Sequence, residues 1–326
     1  MNSSLTKVSA IISEIRDLNP NLIKLYEKAQ IRLSTFTKGL EVDSIDHWKA
    51  QILADVILRL RHFIEHNLSH IESLGTLSLC RYMFELVVWL KHIELDDRFA
   101  LYFTKRVYEG QIEHYERLTN LYKREIEFYR SLAYEERKLH KETIDVLSQN
   151  LSDPKKLGEA IAAETQRIVD LLDARLSKEL ILMSDDIAEN GYSSQAHLIE
   201  TRTLPEIDRQ AGLNRESLRS FEIMWETQIS VIHSYFEKKE FNKNGEIIWK
   251  WNKRAERVGM TNDYDFIYSY TSRLLHANPV SVSTNQQTLT DDELLIFWRY
   301  IKNQSFWVHD YANNELSNVR EASGIH

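Results

Sequence analysis

Arg81 and Glu85 stand one helical turn apart inside Leu77 to Ile93, LSLCRYMFELVVWLKHI, an otherwise almost unbroken apolar run. The i,i+4 spacing puts both side chains on one face of a helix. Charge in that setting must be paired, because burying it alone costs roughly several kcal/mol or more. A second polar row lies far downstream. Tyr264, Tyr268, Ser272 and His276 fall at i, i+4, i+8 and i+12 after Gly259, nearly in line on a helix. The expectation is that Glu85 pairs with Arg81 and that this pair meets Ser272 and His276 where the two helices cross. Such a cluster is either a buried device for fold specificity or an active site, with His276 moving a proton and Arg81 binding an anion. The exposure of His276 separates the two.

Histidines supply the rival chemistry. His62, His66 and His70 recur at i, i+4 and i+8 in RHFIEHNLSHIE, a face that can offer imidazoles to a metal. No matching ligand pair is evident elsewhere: there is no Glu-x-x-His and no HExxH. The same segment, Arg61-His62-Phe63-Ile64-Glu65-His66, resembles the Arg-x4-6-His signature of the higher-eukaryote-and-prokaryote nucleotide-binding (HEPN) domains. These are helical bundles, many of them metal-independent ribonucleases. The resemblance implies Arg61 and His66 as a site in which histidine takes the 2'-hydroxyl proton and arginine stabilises charge on phosphate. GxSxG, P-loop and GxGxxG motifs are absent, so hydrolase, kinase and dehydrogenase readings lack support. No metal and no cofactor are expected.

The C-terminal third carries a second resemblance. Arg81-x3-Glu85, followed downstream by Trp249, Arg254-Ala255, Val258-Gly259 and Tyr264-x3-Tyr268-x3-Ser272-x3-His276, looks like a bacterial domain-of-unknown-function family. In that family an Arg-x3-Glu helix precedes a "W...A...G....Y...Y...S...H" pattern. The likeness spans roughly residues 70 to 285, with specific matches at its two ends. It implies a helical protein of the kind associated with bacterial defence or abortive infection. Its link to the ribonuclease bundles is a fold-level analogy, and Arg273 precedes His276 by three positions, closer than the ribonuclease spacing.

One basic segment completes the candidates. Lys238 to Arg257 holds seven Lys or Arg against three Glu, interleaved with Phe241, Trp249 and Trp251. Lys250, Lys253, Arg254 and Trp251 are therefore either an RNA-binding face, by phosphate contact and stacking, or one side of a solvated amphipathic helix. The net charge of -8 disfavours a grip on nucleic acid by the whole surface.

These residues need helices to hold them. With 9 Gly and 4 Pro in 326 residues, the chain reads as all-α, a multi-helix bundle. Its expected divisions are residues 1–96, N-terminal helices including the Arg/Glu helix; 97–190, a long antiparallel helical hairpin; and 191–326, a C-terminal bundle that packs back on the central helix. The hairpin rests on an exact heptad, Leu101, Tyr108, Tyr115, Tyr122 and Tyr129, answered by Leu157, Ile161, Ile168, Leu172, Leu176, Leu180, Met183 and Ile187. Asp96-Asp97 should cap the first arm, Gly75-Thr76 should turn into the central helix, and residues 191–214, with Pro205, Gly212 and Asn214, read as a boundary or hinge. Further helices are expected at about 246–258, 262–277 and 290–316.

No run reaches the ~20 apolar residues of a spanning helix, and the opening MNSSLTKVSAIISEI reads as a capped amphipathic helix. A lone cysteine, Cys80, fits a core position in a protein of the reducing cytoplasm. Two functions follow as expectations. One is a helical interaction protein, defence- or toxin-related, that binds a protein partner or forms a homodimer through the tyrosine seam or hairpin. The other is a HEPN-like ribonuclease.

Overall fold

The computed structural model describes residues 3–39, 44–68, 73–179, 187–243, 245, 247–275 and 289–317. Among these the chain is all-α, interrupted by one isolated antiparallel bridge between Phe241 and Ile247. No helix among them is long and apolar enough to cross a membrane.

The packing forms two units, Met1–Arg106 with Glu222–His326, and Val107–Phe221. Both limits fall inside helices, where the sequence reading placed divisions at 96/97 and 190/191. In the first unit α1 (Ser3–Arg16), α2 (Asn19–Gly39), α3 (Ile45–Asn67) and α4 (Ser73–Leu95) precede the start of α5 (Phe99–Asn150). The end of α8 (Leu204–Ser234) leads to α9 (Trp251–Arg257), α10 (Thr261–Asp263), a π turn (Tyr264–Tyr268), α11 (Ser269–Leu275) and α12 (Asp291–Ser317). The long α12 lies against α1, α2, α3 and α4, while α4 also meets α9, the π turn and α11. Such encirclement explains the apolar sequence of α4. Leu77, Cys80, Met83, Phe84, Val87, Val88, Leu90 and Ile93 are all buried, so the cysteine is a core residue whose thiol burial pushes well above its ordinary range.

Caps follow from side-chain chemistry. Ser44 accepts from the His47 amide at 3.1 Å, and Asp96 accepts from the Arg98 amide at 3.0 Å, satisfying donors that a helix start leaves open. Gly75 and Thr76 lie inside the first turns of α4, which already begins at Ser73.

In the second unit α5 and α6 (Pro154–Leu176) are joined by three residues, with Asp153 capping and Pro154 in the first turn. Glu135 pairs with Arg175, and His140 lies 3.5 Å from Thr165, so the two helices run in opposite senses. Tyr122, Ile126, Tyr129 and Leu132 of α5 bury against Ile168 and Leu172 of α6 and Tyr192, Ala196 and Ile199. The second arm ends at Leu176, and residues 180–186 lie outside the described set.

Residues 191–214, expected to hold short helical pieces at a boundary or hinge, are helical. α7 (Ile187–Leu198) bends at Gly191 (φ 71°), then passes through a π turn (Ile199–Thr203) into α8. Pro205 lacks the N–H that would bond back one α-turn, and the wider turn before it absorbs that loss without breaking the helix.

Candidate functional site

Arg81, Glu85, Trp89 and His92 recur at intervals of four, four and three, which makes them one stripe along α4. Arg81 Nε donates to Glu85 Oε1 at 2.9 Å, and its Nη2 donates to the Tyr268 hydroxyl at 3.3 Å. The guanidinium carbon lies 5.0 Å from the Tyr268 ring centre, within cation–π range. Tyr264 stacks on Tyr268 at 5.2 Å and 18°, and Phe84 and Trp251 close the ring cluster from the side. Ser272 holds its hydroxyl beside that of Tyr268 and away from solvent. The Arg81 and Glu85 side chains keep 29% and 32% of their surface exposed, so the pair forms a rim. Burial pulls the Arg81 guanidinium toward lower pKa, but its bonds to Glu85 and Tyr268 outweigh it and the net shift is upward.

The inner half of the stripe is sealed. A turn at Gly245 (φ 79°) and the Phe241–Ile247 bridge return the chain to α4, which sets Trp249 flat on Trp89 at 3.8 Å and 10°. Trp249 also meets Tyr102, Trp251 and His92. Behind it Arg254 is 1% exposed, lies 4.3 Å from the Phe236 ring centre and 5.3 Å from that of Trp249, and pairs with buried Glu240. The other Glu240 oxygen accepts from the Glu237 amide at 2.8 Å, so one carboxylate both caps a short helix and neutralises a buried cation. His92, fully buried, stacks on Phe99 at 4.9 Å. Its ring nitrogens have no well-formed hydrogen bond among the described residues. Burial first, and then the positive charges of Arg254 and Arg257, lower its pKa to about 3.

The structure thus brings together Arg81, Glu85, Tyr268 and Ser272, and His276 lies outside the described residues. The rival pair is apart from this cluster. Arg61 donates to Glu65, which also accepts from Asn19, while His62 and His66 are exposed with ring centres 6.0 Å apart; His70 lies outside the described residues. Among the described residues no group of three or more His, Cys, Asp or Glu is arranged to hold a metal. The basic segment requires a correction. Arg254 is a core residue, 1% exposed and paired with Glu240, so it presents no cation at the surface; Trp251 is half-buried in the ring cluster, Lys253 pairs with Glu256 at 2.7 Å, and Lys250 is exposed. The helix expected at 246–258 is confined to 251–257 because the bridge occupies the residues before it.

Sequence reasoning missed Trp89, His92 and the Glu240–Arg254 pair. Extending the Arg81–Glu85 stripe by one and two turns would have reached Trp89 and His92. Chemically, the arrangement is a latch: the Arg81–Tyr268 contact and the aromatic faces of Trp249 and Tyr268 fasten the returning chain to α4, with Glu85 holding Arg81 from within α4 and Glu240 holding Arg254 within the returning segment. The imidazole on the stripe is sealed and cannot exchange a proton with a substrate. No family model matches the sequence, and no curated protein or solved structure shows significant similarity to it.

Proposed function

We propose that this protein is a non-enzymatic helical interaction protein that associates with a second copy of itself through the α5–α6 hairpin. One observation carries the reading. Near Tyr129 and Leu172 the hairpin is sealed by Tyr192, Ala196 and Ile199, but toward its tip the seam residues Leu139, Leu147, Leu157 and Ile161 stay only half-buried, with Ile144 and Val146 exposed beside them. Two helices alone cannot cover an apolar stripe of ordinary width. The flanks carry both signs, Glu135, Glu142, Asp145 and Glu159 against Arg137, Lys138, Lys141, Lys155 and Lys156, which suits an inverted copy of the same surface. A role in bacterial defence is what the family resemblance adds.

Sedimentation velocity over a range of concentrations tests this. A dimer that dissociates in the Leu147→Glu/Ile161→Glu double variant, with helical circular dichroism retained, supports the reading; a wild type that stays monomeric throughout overturns it.

A second reading, a metal-independent ribonuclease, is favoured by the convergence of Arg81, Glu85 and Tyr268 at a half-exposed rim. Incubation with total RNA, with and without EDTA, decides it. Cleavage that survives EDTA and disappears in Arg81→Ala and His276→Ala, but not in His66→Ala, supports this site; intact RNA ends it.

A further inference from the structure

We infer that the second unit binds the phosphoryl group of a small organic phosphate in a cleft between α5 and α7. The cleft has a volume of about 420 Å³ and is lined by Arg130, Arg137, Ser193, Ala196, His197 and Glu200. That size suits a small organic ligand and exceeds what a bare phosphate needs. Two facing stripes build it. Arg130 and Arg137 lie seven residues apart on α5, while Ser193, His197 and Glu200 follow at four and three on α7 and the π turn, so each set shares one helix face. Ala196, 2% exposed, supplies a small buried side chain in the lining where a larger one would take up the space.

The hydrogen bonds leave the right groups over. Arg130 Nη2 holds Glu200 Oε2 at 2.6 Å, which neutralises the cleft's one carboxylate. Arg137 spends only Nε, on the Ala133 carbonyl at 3.0 Å. That bond anchors its guanidinium and leaves both terminal amines without a partner among the described residues. The His197 ring is also without one, although its backbone carbonyl accepts from Thr201. An anchored guanidinium with two parallel donors matches two phosphate oxygens, and His197 and Ser193 stand across the cleft for the remaining one. A carboxylate has two oxygens and would leave that second wall unused.

Isothermal titration of the full chain with phenyl phosphate tests the inference, with benzoate as the carboxylate control. Phenyl phosphate should bind and benzoate should bind more weakly. Arg137→Gln and His197→Gln should each weaken phenyl phosphate by about tenfold or more. Lys138→Gln, an exposed cation outside the cleft, should change nothing, and Glu200→Gln should strengthen binding by releasing Arg130. The assignment is overturned by absence of binding at low salt, by wild-type affinity in Arg137→Gln, by an equal loss in Lys138→Gln, or by benzoate binding as tightly as phenyl phosphate. Arg137 is exposed, so its substitution leaves the thermal melt unchanged and a loss of binding is not a loss of fold.

Discussion

α4 and α6 are both 23 residues long, yet they use their apolar residues differently. α4 has neighbours on most of its circumference, and seven of its apolar side chains and its cysteine are buried, with an arginine and a histidine drawn into contact with rings. α6 buries Ile168 and Leu172 and leaves Leu171 48% exposed. A helix surrounded on several sides must settle its polar groups against its neighbours, as Tyr268 does for Arg81 by a hydrogen bond and as Phe99 and Trp249 do for His92 by ring packing. A helix with one main partner keeps water for its polar face and leaves its seam incomplete. Stability is therefore concentrated in the first unit, and uncommitted apolar surface in the second.

The largest effect should come from Arg254→Ala. Removing one partner of a buried ion pair leaves the other charge uncompensated, at about 3–5 kcal/mol. All seven tryptophans, at positions 48, 89, 225, 249, 251, 298 and 307, lie in the first unit, so tryptophan fluorescence in urea reads that unit alone. Its midpoint should fall steeply in Arg254→Ala, and the apolar double replacement Arg254→Met/Glu240→Leu should recover most of the loss. A midpoint unmoved by Arg254→Ala would break the comparison at its root.

Acid should act on the same unit. An unfolded His92 takes up a proton near pH 6.5, while the folded one does not until about 3. Between these values the unfolded state binds more protons, so stability falls as pH drops through the window and is indifferent to this group above it. The total is about 3–5 kcal/mol. Asp96, held down to about 2 chiefly by its hydrogen bond from Arg98, adds a further loss below its ordinary value of 3.8. Fluorescence-monitored urea titrations at stepped pH should show the slope beginning near 6.5, and His92→Leu should remove its upper part while leaving the portion below pH 4.

Leucines measure the contrast within the second unit. Leu132 is fully buried, and Leu132→Ala should cost about 2–4 kcal/mol. Leu147 sits on the half-buried seam of the same helix, where truncation should cost under about 1 kcal/mol in the monomer. Circular dichroism in urea checks both. Equal costs would mean that the tip is as sealed as the base.

Much of this fold could be read from spacing. Sparse Gly and Pro and strict apolar periods gave the helices, and charge in an apolar run led to the contact of Arg81 with Tyr268. What stayed hidden depends on the tertiary path. Glu240 and Arg254 are fourteen residues apart across a bridge, so a dense run of Lys and Arg reads as solvated when one member is the core's own cation. His92 looks like an ordinary residue near a helix end until Phe99 and Trp249 close over it. Pro205 reads as a breaker because a single-sequence pattern carries no sign of the π turn that accommodates it.

The smallest effect sharpens the comparison most, because the first unit contains the same device twice. Arg81 and Arg254 each pair with a glutamate and lie over an aromatic ring, at 5.0 and 4.3 Å. They differ in burial, with side-chain exposures of 29% and 1%. At the rim, water and salt screen the pair, and an exposed ion pair contributes about 0.2–1 kcal/mol. Glu85→Gln keeps a hydrogen-bond acceptor for Arg81 and should therefore shift the fluorescence midpoint slightly, by less as salt is raised. Glu240→Gln, with the same chemical change in the interior, should cost several times more and show little dependence on salt. If Glu85→Gln proves as damaging as Glu240→Gln, the rim is closed in solution and Arg81 and Glu85 belong to the sealed core.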